Sequence, residues 1–383
     1  MNLHPTSQDR LRTGIPCRVD RIAGVKIITI VGARPQFIKA AVISRAVQAW
    51  GGGVSERIVH TGQHFDSNMS DVFFAELDIP QPFAHLGVGG GTHGQNTGRM
   101  IERIEAVLQD DRPDWLLVYG DTDSTLAGAV AAAKLHVPIA HVEAGLRSYN
   151  RKMPEEVNRV LTDHCSELLL TPTPAADANL RREGIDPARV KRVGDVMYDA
   201  ALHYSERSDR ESSVLARLGV EPGGFVLATI HRQDNTDSPQ FMRQITEGLA
   251  ACGNTVVWPL HPRTRRRLEA HGIVLPDTIL ACDPVGYLDM VQLEKNARAI
   301  ATDSGGVQKE AYFHGVPCIT IREETEWVEL VHAGWNRLVS ARSGLIAEAI
   351  AGARRPAHGS EPIYGEGDAG ARIVEELMGW PGR

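Results

Sequence analysis

The sequence predicts an α/β protein of two similar domains, each a parallel, doubly wound sheet covered by helices. Three observations predict it. Short β-branched runs alternate with longer amphipathic stretches, the pattern of repeated βα units. The alternation pauses in a polar stretch, 204–224, and then restarts. At 383 residues the chain exceeds one ordinary domain and accommodates two of about 150–200 residues.

Val25–Val31 (VKIITIV) reads as a buried strand. Pro35 then opens a helix over 36–50, at the position where proline best fits a helix start. Further strands are expected at 57–60, Trp115–Tyr119, 138–142 and 168–170, with helices at 66–77, 97–109, 124–136 and Pro154–Cys165. After the pause, strands recur at 225–230, 255–260, 278–281, Ala299–Thr302 and 318–321. The helices between and after them fall at 239–251, 263–271, Tyr287–Asn296, 306–314 and 344–353, and a last one at 369–378. The expected division is an extension over 1–24, disordered; a first domain over 25–200 that takes back the C-terminal helix, about 365–383; and a second domain over 201–364.

Composition removes several function classes. Lys+Arg is 41 and Asp+Glu 48, a net charge of −7, which argues against a general nucleic-acid binder. No apolar run reaches the roughly 20 residues that span a bilayer, so no membrane insertion is expected. Residues 1–24 hold four arginines but no apolar block, unlike a secretory signal. The five cysteines are scattered and form no CxxC, which fits reduced thiols in the cytoplasm. The 15 histidines show no metal-ligand pairing, so no metal is expected.

In open α/β sheets ligands bind beyond the carboxyl ends of the strands. Here those ends are dense in ionisable groups. Arg34 follows the first strand, with Lys39 further into the helix, and Gln63 and His64 follow the second. Asp121 follows Trp115–Tyr119, and Glu143 and Arg147 follow the next strand. In the second half His231, His261, Asp303-Ser304-Gly305-Gly306 and Arg322 hold the corresponding places. Ser304-Gly305-Gly306, between a strand and a helix, is the sharpest phosphate candidate: two glycines let amides approach an anion at the positive helix end. With Arg34 and Lys39 from the other half, it implies a diphosphate clasped between the domains.

Two motifs are set aside. Gly89–Gly94 matches GxGxxG but follows no β-branched strand, so it is not a dinucleotide site. Arg263-Thr264-Arg265-Arg266-Arg267 reads as a solvated helical face. The carboxylates carry the chemistry. Asp121 and Glu143 end neighbouring strands, and Glu155 starts the helix Pro154–Cys165. Acids around one pocket can divide general-acid and general-base work between them.

These segments resemble the non-hydrolysing UDP-N-acetylglucosamine 2-epimerases. The matching stretches are Gly32-Ala33-Arg34-Pro35-Gln36-Phe37-Ile38-Lys39, Gly120-Asp121-Thr122, His141-Val142-Glu143-Ala144-Gly145-Leu146-Arg147, Pro154-Glu155-Glu156-Val157-Asn158-Arg159 and Thr302-Asp303-Ser304-Gly305-Gly306-Val307-Gln308-Lys309-Glu310. The resemblance implies two Rossmann-like domains in the glycosyltransferase-B architecture, no cofactor, and C2 epimerisation by loss of UDP to a 2-acetamidoglucal and its return. It implies acid/base work for Asp121, Glu143 and Glu155 and a catalytic or leaving-group role for His231. It assigns UDP to Arg34, Lys39, Ser304, Gly305, Gly306 and Glu310, with sugar or regulatory contacts at Gln63, His64, Arg147 and Arg151. A UDP-sugar is thus the expected small-molecule partner, and a homodimer is usual for such enzymes.

Trp327 follows Thr325-Glu326 where many members carry an arginine. Asp66 replaces a glutamine, and 89–94 lacks an arginine, of the allosterically activated members. The wording of 64–71, 150–153 and 326–329 resembles a subgroup acting on UDP-2,3-diacetamido-2,3-dideoxyglucuronate, where Arg151 and Lys152 would face a sugar carboxylate. The rival classes are a glycosyltransferase on the same frame, a hydrolysing epimerase and a non-catalytic UDP-sugar sensor. The glycosyltransferase gives no purpose to Asp121, Glu143 and Glu155 together.

Overall fold

The computed structural model describes residues 24–63, 77–356 and 362–381. His64, nearly all of the helix expected at 66–77, and the extension up to residue 23 lie outside the described residues, as does the Arg34 side chain.

Two all-parallel sheets form the frame. The first comprises β1 (Val25–Val31), β2 (Val54–His60), β3 (Ala84–His85), β4 (Trp115–Tyr119), β5 (Ile139–Val142), β6 (Leu168–Thr171) and β7 (Val190–Arg192), in the order β3-β2-β1-β4-β5-β6-β7. The second comprises β8 (Phe225–Thr229), β9 (Thr255–Pro259), β10 (Ile279–Cys282), β11 (Ala299–Thr302), β12 (Cys318–Thr320) and β13 (Asn336–Leu338), in the order β10-β9-β8-β11-β12-β13. Helices cover both faces, so central strands such as β4 and β8 are buried at every residue and read as unbroken apolar runs. This is the doubly wound arrangement, and its order reverses between β1 and β4 and again between β8 and β11.

At the first reversal Gln36 joins the strands. Its Oε1 accepts from Gly32 N (2.8 Å), and its Nε2 donates to Tyr119 O (3.1 Å) and Thr125 Oγ1 (2.9 Å). The ends of β1 and β4 are thereby fixed beneath the helix α1 (Arg34–Trp50).

The polar stretch 204–224 is not a plain linker. The helix Val196–Glu211 runs through it, with Ser-Glu-Arg-Ser-Asp-Arg-Glu mostly on its outer face. Its inner face buries Val196, Met197, Ala200, Ala201 and Tyr204. Tyr204 OH accepts from Arg45 in α1 (2.8 Å), donates to Leu77 O (2.9 Å), and its ring meets Tyr287 edge-on at 5.3 Å. Tyr287 opens the helix Tyr287–Asn296 of the second half, so this one helix packs against both halves.

The last helix, Ala369–Gly379, returns to the first half. Ile373, Val374 and Leu377 are fully buried with α1, and Trp115 Nε1 donates to Leu377 O at 3.1 Å. At 344–353 the sequence expects a longer helix than forms. A 3₁₀ turn, Ala341–Ser343, and a left-handed Gly344 (φ 67°) shorten it to Ile346–Ala351. No helix among the described residues is long and apolar enough to cross a membrane.

Ile373→Ala should therefore cost about 2–5 kcal/mol, as deletion of a fully buried side chain does. Urea denaturation followed by tryptophan fluorescence would measure it. A cost below about 1 kcal/mol would mean that the helix is not part of this core.

Candidate active site

Both reversals in strand order point their carboxyl ends at one seam. From the first half come Lys39, Gly120-Asp121 and Glu143; from the second come His231, Ser304-Gly305-Gly306 and Lys309.

Glu143 is the centre of the charge. It follows β5 with φ at 70°, a left-handed conformation that costs a non-glycine residue about 1–3 kcal/mol and must be held by its surroundings. Its Oε2 takes a bond from Lys39 and its Oε1 one from Lys309, at 2.6 Å. Burial pushes the Glu143 pKa up, but Lys309 and then Lys39 outweigh it and hold the carboxyl well below the usual range. Lys309 also pairs with Asp195 and lies 4.1 Å from the centre of the Trp327 ring. Burial disfavours its charge, but Asp195 and Glu143 prevail and raise its pKa. Sequence reasoning missed Lys309 and Asp195 as site residues. A lysine on the buried side of a helix leaves no mark in hydrophobic periodicity; only its place in the Gly305–Glu310 motif marks it.

Asp121 stands one residue from Gly120, whose missing Cβ would lie 3.1 Å from Glu143 Oε2 and 3.3 Å from Lys39 Nζ. Gly120 has φ 61°, so the chain turns here in a conformation that suits glycine. Asp121 accepts a bond from Arg159, and its backbone carbonyl accepts one from Asn158 (3.0 Å). Arg159 also pairs with Glu156 (3.2 Å) and lies within the field of Glu326 from the second half. Its own burial works against its charge, but these acids, Asp121 foremost, raise its pKa.

Glu155 lies on the same helix as Asn158 and Arg159, exposed in its first turn. The buried acid is its neighbour Glu156, which accepts from Ser148 N and Tyr149 N, both at 2.9 Å, and ties down the loop before the helix. That loop reaches the other half, where Asn150 Nδ2 donates to Glu324. Arg151 is exposed on it.

Arg147 is not free to meet a sugar. It is buried and bound to Asp163 (2.7 Å) and Glu183 (2.7 Å). Asp163 in turn bonds His141 (2.7 Å), whose other nitrogen meets Gly120 O at 2.7 Å. Burial of Asp163 is outweighed by His141 and Arg147, and its pKa is lowered. Arg147 thus stands behind Asp121, supporting the turn that presents it. Gln63 is engaged as well, accepting from Ser124 N (3.0 Å) and Oγ (2.6 Å) at the start of the helix Asp123–Lys134.

In the second half Asp303 shapes the loop that carries His231. Fully buried, it accepts from His231 N (3.0 Å), Arg232 N (3.0 Å) and Asn235 Nδ2 (3.0 Å). The His231 ring stays half exposed, with Nδ1 3.5 Å from Asp303. Ser304 starts the helix Gly305–Phe313, yet its hydroxyl caps no backbone amide, which leaves the hydroxyl and the first amides open to an anion. Glu310 is buried on this helix, and a Cβ on Gly306 would lie 3.9 Å from it. A Cβ on Gly305 would lie 2.6 Å from Glu326 Oε1, so a larger residue there would have to displace that buried carboxylate. Glu326 is buried and pairs with Arg322 at 3.0 Å. Trp327 fills the position of the missing arginine. It is buried against Leu330 and Tyr364, and its indole N–H has no partner among the described residues.

The two motifs set aside have structural roles. The Gly89–Gly94 stretch leads into the helix His93–Asp110, capped by Thr92 and Gln95. In the arginine run, Arg263 and Arg267 pair with Asp237, and Arg265 with Asp283.

Known proteins are similar to this chain. A family model described as UDP-N-acetylglucosamine 2-epimerase matches residues 48–378. The chain is 50% identical to the UDP-2,3-diacetamido-2,3-dideoxy-D-glucuronate 2-epimerase of Pseudomonas aeruginosa, covering 92% of this chain and 99% of that relative. It is 40% identical to the UDP-N-acetylglucosamine 2-epimerase of Methanocaldococcus jannaschii, with 92% and 99% covered. A crystal structure of the M. jannaschii UDP-GlcNAc 2-epimerase in complex with UDP-GlcNAc and UDP superposes with a TM-score of 0.85, at 41% identity, over 92% of this chain and 99% of that one. The Neisseria meningitidis UDP-GlcNAc 2-epimerase bound to UDP-GlcNAc gives 0.83 at 29% identity, over 92% and 100%. With two Rossmann-like sheets in the glycosyltransferase-B arrangement and these matches along nearly all of its described length, the chain belongs to the UDP-N-acetylglucosamine 2-epimerase family.

Proposed function

We propose that the protein inverts C2 of a UDP-N-acetylhexosamine, taking UDP-N-acetylglucosamine to UDP-N-acetylmannosamine. The observation that carries this reading is the ionised, doubly clamped Glu143 beside Asp121, facing an anion-ready helix start across the seam. The C2 proton is not α to a carbonyl, so direct deprotonation and return is unfavourable. Elimination avoids the free carbanion. A carboxylate takes the proton from C2, the C1–O bond breaks, and UDP leaves with its electron pair as the C1–C2 double bond of a 2-acetamidoglucal forms. Return of UDP to C1, with a proton delivered to the other face of C2, gives the epimer. Glu143, Asp121 and Glu155 share the proton work. Ser304, Gly305 and Gly306, with Arg34 and Lys39, hold the departing diphosphate, His231 stands beside it, and Glu310 takes the ribose hydroxyls. The division of labour is between a half over 25–200, joined by the C-terminal helix, and a UDP-binding half over 201–364. We place the enzyme in the cytoplasm as a homodimer, on the family resemblance.

A second reading has its own support. The 50% identical relative is named for the diacetamido-glucuronate nucleotide. Arg151 and Lys152 sit on the loop whose Asn150 reaches Glu324 of the other half, at the rim of the seam, where cations would meet a sugar carboxylate.

Proton NMR in deuterium oxide with each nucleotide tests both. Deuterium at C2 together with a new manno-configured UDP-sugar is expected. Exchange with the uronate alone would select the second reading, and UDP binding without exchange would return the glycosyltransferase and sensor readings. Glu143→Gln should lower C2 exchange by about 10²–10⁴-fold while UDP binds nearly as before. An active Glu143→Gln enzyme would remove that residue from the chemistry. Gly305→Ala, which forces a Cβ onto the buried Glu326, should weaken UDP by about tenfold, near 1.4 kcal/mol, in calorimetric titration. Unchanged affinity would move the diphosphate away from this helix.

A further inference from the structure

Both oxygens of Glu143 carry a lysine, and the two lysines differ in how they are held. Lys39 Nζ meets Oε2 from α1, within the same half, on the side of the first strand reversal. Its one ion pair is with Glu143 among the described residues. Lys309 Nζ meets Oε1 from the other half and is fixed on three sides: by Glu143, by Asp195 at 2.5 Å, and by the Trp327 ring at 4.1 Å. Its side chain is 2% exposed. Among the described residues Lys39 thus has one ionic partner, whereas Lys309 has two and an aromatic ring besides.

A carboxylate with a cation on each oxygen is a poor proton acceptor, because its lone pairs are occupied and its charge is stabilised. One cation must leave before Glu143 works as a base. We propose that Lys309 is the positioning residue of this base: it grips Oε1 from across the seam, while the move of Lys39 to the incoming diphosphate uncovers Oε2 for the C2 proton. The inference rests on Glu143 exchanging that proton, as proposed above. No bond to Lys309 forms or breaks; the proton passes from C2 to Oε2, and Lys309 stabilises the buried carboxylate that must receive it. The base is thereby armed only when the diphosphate is in place and the halves are together.

The surrounding charges fit this assignment. Lys39 faces Glu143 from α1, and Asp121, paired with Arg159, follows Gly120 on the neighbouring strand end. Behind Lys309 stand Asp195, Glu329 and Tyr364, with Asp199 one turn along from Asp195. Tyr364 OH donates to Glu329 at 3.0 Å, and burial pushes both groups up. Of the cations in this set, only Lys39 and Lys309 bond to Glu143.

The test is the pH profile of C2 deuterium exchange for the wild type, Lys309→Met and Lys309→Arg. Loss of the Lys309 charge raises the Glu143 pKa, so the acid limb of kcat should move up by roughly one pH unit or more, about a tenfold loss on that limb. UDP affinity should stay within about twofold, because Lys309 is not assigned to phosphate, and Lys309→Arg should recover most of the shift. A limb that stays in place while Lys309→Met merely melts earlier would overturn the proposal. A second measurement uses the wild type alone, labelled with ¹³C at the glutamate carboxyls and assigned with Glu143→Gln. Glu143 should titrate at higher pH with saturating UDP than without it, yet remain ionised at neutral pH. A titration indifferent to UDP would overturn the proposal even if Lys309→Met fails to fold. This readout needs no turnover, so an enzyme that fails to epimerise yet shows the UDP-linked shift would refute the functional reading and leave the lysine exchange standing.

Discussion

The Glu143 carboxylate, buried between Lys39 and Lys309, is the constraint on which the rest of the site depends. A buried charge must be paired, and removing one partner of such a pair costs about 3–5 kcal/mol. That requirement ties the two halves together through Lys309, fixes Asp195 at the start of Val196–Glu211, and calls for the aromatic cover of Trp327. The left-handed backbone at Glu143 persists because this set over-determines it. Such clusters are weak contributors to net stability and strong ones to geometry, since the desolvation cost offsets most of the attraction. Here the geometry is a carboxylate held between two lysines that favour its charged form.

The architecture explains why these groups meet. In each sheet the strand order reverses between the first and fourth strands of its half, and the loops on either side of the reversal part to leave a crevice. Lys39 and Asp121 flank one crevice; His231 and Ser304 flank the other. Two crevices face to face make one cleft with carboxylates on one wall and helix amides on the other. Under the proposed function, a diphosphate sugar enters this cleft with its phosphates toward the amides and its reacting ring toward the acids. The helix Val196–Glu211 and the returning Ala369–Gly379 keep the walls in register, the former by packing on both α1 and Tyr287–Asn296.

Much of this was legible in the sequence because strands buried on both faces are unbroken apolar runs. Val25–Val31, Trp115–Tyr119 and Ala299–Thr302 carry their own boundaries. Short edge strands such as Ala84–His85 and Asn336–Leu338 do not, since two or three half-exposed residues give no period. The polar stretch after Tyr204 misleads for the opposite reason. A helix whose outer face is all charge reads as a linker, although its inner face is fully committed. At the site, the motifs name the strand-end residues but not their duties. Arg147 stands in the same motif as Glu143, yet its guanidinium is spent on Asp163 and Glu183, a partnership set by tertiary packing alone. Lys309 is the converse: a residue that looks like surface charge and is among the most deeply buried groups in the protein.

The pairing of Lys309 with Trp327 connects two of these points. The resemblance implies an arginine after Thr325-Glu326, and this chain instead has an indole over a buried ammonium. A guanidinium at that position would sit beside Lys309, two cations in a pocket already shielded from water, and like charges at that range repel. An aromatic face does the reverse, offering its negative quadrupole to the ammonium without adding charge. The tryptophan face therefore suits the buried ammonium, which in turn faces the Glu143 carboxylate.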